Sequence, residues 1–224
     1  MKPMTDEHLA ILRRHMVEIV GLHFDLAEDE IGSAEPSPAV ARALLEVPRH
    51  LFVPSQLAAL AYQDTPLPIG FDKTLSQPFI GALMIDLLGL EPGARVLEVG
   101  TGLGYQAAVM ATIGAQVFSV EIVEEFAEAA RHRFAALGRQ VEVRVGDGSR
   151  GWPDHAPYDA ILVTAAAAAP PSALLDQLKP GGRMVLPIGG SDEQQLSVVT
   201  RQPDGDTAIR RIMPVRFTQL EIGV

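Results

Sequence analysis

The sequence predicts a doubly wound α/β fold with a largely parallel sheet, preceded by an N-terminal helical extension. Three observations carry this. After Gly93, short apolar runs rich in β-branched residues recur: "RVLEVG", "QVFSVE", "VEVRVGD", "YDAILVT" and "RMVLPIG". Helical patterns lie between them, and that alternation is the rhythm of parallel crossover units. A glycine-rich turn, "GTGLG", joins the first run to the helix pattern that follows it.

The elements follow in order. Residues 6 to 20 read as a helix, with Leu9, Leu12, Met16, Ile19 and Val20 at helical spacing. The acidic stretch "DLAEDEIGSAEPSP" reads as a solvated connection. Residues 38 to 46 form a second helix, stopped by Pro48. "VPRHLFVPSQLAALAYQDTPLPIG" is rich in proline, aromatic and turn signals, and predicts short helices and ordered loops. A helix starts near Pro78. Residues 122 to 137 place Phe126, Ala130, Phe134 and Leu137 on one helical face, with Gly138 at the C′ position. "LSVVTRQ" and "TAIRRIMPVRF" flank the turn "PDGD" as a late hairpin. The alanine run 165 to 169 packs closely rather than linking domains. Trp152 packs beside the third strand.

Composition bounds the function. With 224 residues, 47% of them hydrophobic, the chain can bury a full core. A net charge of −10 with scattered Lys and Arg speaks against a nucleic-acid surface. There is no cysteine, hence no thiol nucleophile, disulfide framework or thiolate metal site. The six histidines lack HxxxH or HxH spacing, so no metal is expected. The N-terminus is unlike a signal peptide. No apolar run approaches the ~20 residues that span a bilayer. A cytoplasmic protein with no membrane partner is expected.

The glycine loop fits two patterns when read alone. Gly102, Gly104 and Ala107 satisfy a GxGxxA nucleotide fingerprint. Glu98 with Gly100, Gly102 and Gly104 satisfies the ExGxGxG form seen in S-adenosylmethionine (SAM) methyltransferases. Three features favour SAM. Glu98 puts a negative charge beside the loop, which a sulfonium tolerates better than a dinucleotide phosphate does. Glu121 ends the second strand, about the ~20-residue offset of a ribose-binding acid. Asp147, in "GDG", ends the third strand, where a carboxylate can accept from an adenine amino group. Glu121 and Asp147 also read as ordinary strand-end caps.

Ahead of this loop lies "DKTLSQPFIGALM". Ser76 or Gln77 suits a helix N-cap, with Pro78 in the first turn. Yet "VPRHLFVP", "AYQDTPLPIG", "TLSQP", "LEVGTGLGYQAAV", "GDGSRGWPDHAPYDAILVTAA" and "LLDQLKPGGRMVLPIG" together resemble the protein-L-isoaspartate O-methyltransferase family. The likeness covers Val47 to Gly189, with an echo at "PVRF". It implies a Rossmann-like SAM-dependent methyltransferase fold and methylation of the α-carboxylate of L-isoaspartyl residues in damaged proteins and peptides. It divides the chain into residues 1–78, a helical extension with substrate-side loops, and 79–224, the SAM-binding unit, within one compact body.

The resemblance also implies roles. Ser76 orients the acceptor carboxylate beside the methyl donor, and Thr74 shapes the same loop and touches the donor. Glu98, Gly100, Thr101, Gly102 and Gly104 line the methionine end of SAM. Glu121 binds the ribose, Ile122 packs on the adenine, and Asp147 with Gly148 meets it. Thr164, Ala165 and Ala166, after the fourth strand, contact the substrate. The product is S-adenosyl-L-homocysteine (SAH), the partners are isoaspartyl peptides and proteins, and a monomer is expected.

The chain departs from the family pattern twice. Ala168 stands where a proline is usual, and Thr218 with Gln219 replaces the usual Val-Pro of "VRFVPL". These departures leave open a SAM-dependent methyltransferase acting on a different carboxylate or a small-molecule acceptor. A non-catalytic SAM-binding module and an NAD-dependent oxidoreductase are further alternatives. Intact Ser76 speaks against the first. Glu98 and the lack of a Tyr-Lys pair speak against the second.

Overall fold

The chain opens with helix α1 (Asp6–Leu26), started by Thr5, whose side chain accepts from the His8 N–H. A computed structural model describes residues 4–223. The helix outruns the predicted end at residue 20, and α2 (Glu28–Ile31) follows almost at once. The first half of the acidic stretch is therefore helical, and residues 32–37 form the connection. The outer residues of the helical half are charged, but Ala27 and Ile31 are buried within it. Gly32, in the left-handed region, ends it. Helix α3 (Pro38–Glu46) matches its predicted bounds, with Ser37 accepting from the Val40 N–H as cap.

Two 3-10 turns, Arg49–Phe52 and Ser55–Leu60, follow. Strands β1 (Leu67–Gly70) and β2 (Lys73–Leu75) then pair antiparallel across a turn at Phe71 and Asp72, both with positive φ. Helix α4 (Pro78–Leu88) is buried along most of its length. Each large apolar side chain removed from water there stabilises the fold by ~1.5–3 kcal/mol.

Strands β3 (Arg95–Val99), β4 (Gln116–Glu121), β5 (Val141–Val145), β6 (Tyr158–Val163), β7 (Leu178–Gly189), β8 (Gln194–Arg201) and β9 (Thr207–Pro214) form one sheet, in the order β5-β4-β3-β6-β7-β8-β9. The first five run parallel, and β8 and β9 close the edge as the predicted antiparallel hairpin. Helices α5 (Tyr105–Ile113), α6 (Glu124–Ala136) and α7 (Ser172–Asp176) fill the connections. Strand order reverses between β3 and β6, so a crevice opens beyond their C-terminal ends.

The larger core cluster runs from Leu9 of α1 through α3, α4 and α5 to Val96 of β3 and Ile212 of β9. The smaller cluster lies on the other sheet face, around Leu97, Phe118, Tyr158 and Leu174. Trp152 packs against it, edge-on to Phe118, with the Arg144 guanidinium of β5 over its ring. No helix among the described residues is long and apolar enough to cross a membrane.

Candidate active site

The crevice at the switch point is a cleft of about 900 Å³, part of it open to solvent. Its floor is the loop after β3. Gly100 has φ +91, and a Cβ there would lie 2.4 Å from the Thr164 Oγ1. Only glycine lets the two loops approach this closely. The Thr164 hydroxyl donates to the Gly100 carbonyl at 2.8 Å. Gly102 N–H donates to Glu121 Oε2 at 2.7 Å, and Val123 N–H donates to Oε1 at 2.9 Å. Glu121 thus ties the end of β4 to the glycine loop. A carboxylate has about four acceptor sites, so roughly two remain on Glu121 for a ligand.

Thr101 lies in the lining and begins a buried relay. Its Oγ1 is 2.6 Å from Ser119 Oγ, and the Ser119 hydroxyl donates to Glu98 Oε2. Glu98 is itself fully buried, and its Oε1 has no hydrogen-bond partner among the described residues. Burial pushes its carboxyl up to about 8, with the neighbouring Glu121 adding to the rise and the Ser119 hydrogen bond opposing it. Here the sequence expectation needs correcting. Glu98 shares a strand face with Val96, beneath α5, and sits behind the lining. Burial favours its protonated form, which weakens the negative charge expected beside the loop. Glu121 is the acid in the lining.

Three more residues fall outside the lining. Gly104 caps α5, and a Cβ there would meet the Phe134 ring at 2.6 Å, so it serves the packing of α5 on α6. Asp147 spends its carboxylate locally. Oδ1 accepts from Ser149 N–H and hydroxyl, and Oδ2 accepts from Gly223 N–H and pairs with Arg150. Burial pushes Asp147 up, but the Ser149, Gly223 and Arg150 contacts outweigh it and hold it below the usual carboxylate range. Ala166 is buried: its N–H donates to the Thr218 carbonyl and its carbonyl accepts from Leu220 N–H. Gly100, Thr101, Gly102, Ile122, Gly148, Thr164 and Ala165 do line the cleft, as do Thr74 and Ser76.

The cap of α4 does not come from Ser76. The N-cap of α4 is Gln77, and it makes no side-chain cap bond. Asp64, from the preceding loop, supplies the cap instead. Its Oδ1 accepts from Phe79 N–H at 2.8 Å, and its Oδ2 accepts from Gln77 Nε2 at 2.8 Å. His23 of α1 pairs with the same carboxylate at 2.7 Å. The Ser76 carbonyl accepts from Arg49. The Ser76 hydroxyl makes no hydrogen bond among the described residues and stands in the cleft lining.

A family described as "Protein-L-isoaspartate(D-aspartate) O-methyltransferase (PCMT)" matches residues 26–223. The chain belongs to this family. Protein-L-isoaspartate O-methyltransferase 1 of Nitrosospira multiformis is 50% identical over 224 residues, covering 99% of this chain and 92% of the relative. The protein of the same name from Polaromonas sp. is 47% identical over 219 residues, covering 97% and 93%. A solved protein-L-isoaspartate O-methyltransferase superposes with TM-score 0.78 at 32% identity, over 92% of this chain and 65% of the longer one. The fold also matches a beta-aspartate methyltransferase (PCMT) from Plasmodium falciparum in complex with S-adenosyl-L-homocysteine, with TM-score 0.76 at 23% identity.

The segment with Thr218 and Gln219 pairs with the alanine run that contains Ala168. Thr218 and Leu220 hydrogen-bond to Ala166 within the alanine run, and Gln219 lies against the cleft. Lys73, just before Thr74, forms an ion pair with Glu221. Sequence reasoning missed the cleft residues Ile69, Tyr105, Phe126 and Phe217. As single apolar or aromatic positions inside element patterns, they carry no signal apart from core. It also missed Arg49 and Asp64. The one available signal was a charged residue within a segment otherwise dense in apolar and proline residues.

Proposed function

We propose that this chain transfers a methyl group from SAM to the α-carboxylate of L-isoaspartyl residues in damaged proteins and peptides, leaving SAH. The observation that carries the reading is Ser76: in a chain of this family it lines the same cleft as the glycine loop, and its hydroxyl makes no hydrogen bond among the described residues. The lining fits SAM. Gly100 admits a close backbone approach, Glu121 keeps acceptor sites for ribose hydroxyls, and Ile122, Phe126 and Gly148 offer surface to an adenine ring.

When bound, SAM supplies a methyl group on a cationic sulfur. The protein's share is alignment. A carboxylate of pKa near ~3.9 is already ionised at pH 7, so no general base is required. The Ser76 hydroxyl donates to one acceptor oxygen and fixes the direction of the other. Thr74, Thr164 and Ala165 form the wall beside it, and the Tyr105 and Phe217 rings exclude water. The resulting ester closes to a succinimide without the enzyme. Hydrolysis of that imide returns some normal aspartate, which makes the outcome repair. A cytoplasmic monomer, with residues 1–78 as the substrate-side portion, is the form proposed for this work.

Labelled SAM and a pair of peptides, one isoaspartyl and one aspartyl, test this. A base-labile methyl ester on the isoaspartyl peptide alone is expected; no selective labelling would overturn the reading. A second reading follows from Thr218 and Gln219, which replace the family's Val-Pro at the cleft wall. It keeps SAM and changes the acceptor to another carboxylate or a small molecule. Labelling of metabolite fractions but of neither peptide would favour it.

A further inference from the structure

Arg49 is the bulkiest of the fully buried side chains, at 1% exposure, yet it has no salt bridge among the described residues. Its Nε donates to the Ala61 carbonyl at 2.8 Å, and its Nη2 donates to the Ser76 carbonyl at 2.6 Å. Its guanidinium carbon lies 4.8 Å from the centroid of the Tyr105 ring, which lines the cleft. Asp64, whose charge also acts on Arg49, is already committed to His23, Gln77 and the Phe79 N–H. Burying a guanidinium without a carboxylate is unfavourable by several kcal/mol. An apolar side chain at this place would serve stability better. The arrangement makes sense if it does something else.

We propose that Arg49 is a positioning residue for methyl transfer, holding the Ser76 backbone, and with it the Ser76 hydroxyl, at the cleft wall made by Tyr105. The planar fork reaches the carbonyls of Ala61 and Ser76 at once, so it spans the loop between them. A lysine ammonium is a point donor and cannot reproduce that geometry. The guanidinium charge lies over the ring of Tyr105, a lining residue, and favours an anionic acceptor in the cleft. This rests on the acceptor reading given above.

The test compares the unmodified protein with Arg49→Lys and Arg49→Met, using an isoaspartyl peptide well below each melting temperature. Arg49→Lys keeps the charge and loses the fork. Its kcat is expected to fall about 10- to 100-fold, with peptide KM and SAH affinity within a factor of about three. Arg49→Met loses both fork and charge, so peptide KM should rise as well, again with SAH affinity retained. A purely structural residue would lower the melting temperature while leaving kcat of the folded protein unchanged. An Arg49→Lys kcat within about twofold of the unmodified protein, or SAH affinity lost in step with kcat, overturns the proposal. It also falls if neither variant folds. No turnover by the unmodified protein would instead sink the acceptor reading, and this proposal with it.

Discussion

Ser76 and Gly100 both line the cleft and depend on different physics. Ser76→Ala removes one hydrogen bond to a charged acceptor, a loss of about 1.5–3 kcal/mol. Methyl transfer should therefore fall roughly 10- to 100-fold, while calorimetry finds SAH affinity nearly unchanged. Because Asp64 caps α4, stability should stay within about 0.5 kcal/mol. A loss near ~1 kcal/mol would return Ser76 to the role of cap. Gly100→Ala acts on the donor side. Its Cβ would meet Thr164 Oγ1 at 2.4 Å, at a φ that L residues rarely adopt. SAH affinity should drop by at least about tenfold; retained affinity would mean that the loop reshapes freely. Both residues were legible in the sequence, because glycine spacing and the "TLSQP" pattern point to them. Glu98 was legible as an acid but not as a neutral one. The upward push on its pKa comes from burial, which only the tertiary structure reveals.

Elements with strong local signals matched their predictions. Strands β3, β4 and β6 are almost wholly buried and β7 is buried through its middle, while the edge strand β5 keeps the same β-branched pattern with its residues half-buried or exposed. Two elements escaped. Beyond Val20, α1 buries only Phe24 and leaves Leu22 and Leu26 exposed, and with Asp25 leading into the acidic α2 the segment resembled a solvated connection. The hairpin β1–β2 has strands of four and three residues, too short for alternation to emerge. The cap of α4 was hidden for a different reason: its acceptor, Asp64, lies 15 residues before Phe79. Local capping patterns cannot find a partner at that range. Asp64→Ala should remove the cap, the Gln77 contact and the close His23 contact together. A loss of about 1–3 kcal/mol in urea unfolding is expected, with Asp64→Asn losing less because one amide oxygen can still accept. Equal losses for the two variants would mean that charge, not capping, holds this corner.

At the scale of the whole molecule, Glu98 should leave a signature in stability against pH. Its folded pKa of about 8 lies above the ordinary value of 4.5. The folded state therefore holds this proton more tightly than the unfolded chain does. The associated stability is fully present below pH 4.5, declines as pH rises toward 8, and is gone above it. The span amounts to a few kcal/mol, at about 1.4 kcal/mol per pKa unit. Asp147 and Asp159 act in the opposite sense, since both are held below the usual carboxylate range. Their contribution is present above pH 3.8 and is lost as acid protonates the folded state. The net charge of −10 adds a general repulsion that also grows with pH, so a slope in the unmodified protein alone proves little. Glu98→Gln separates the two, because it removes the titration and leaves nearly all the remaining charge in place. Urea unfolding at pH 5, 6.5 and 8.5 should give a steeper decline for the unmodified protein than for Glu98→Gln, with the variant relatively most stable at pH 8.5. Parallel profiles would mean that Glu98 does not hold its proton in the folded state, and that a negative charge does stand behind the glycine loop.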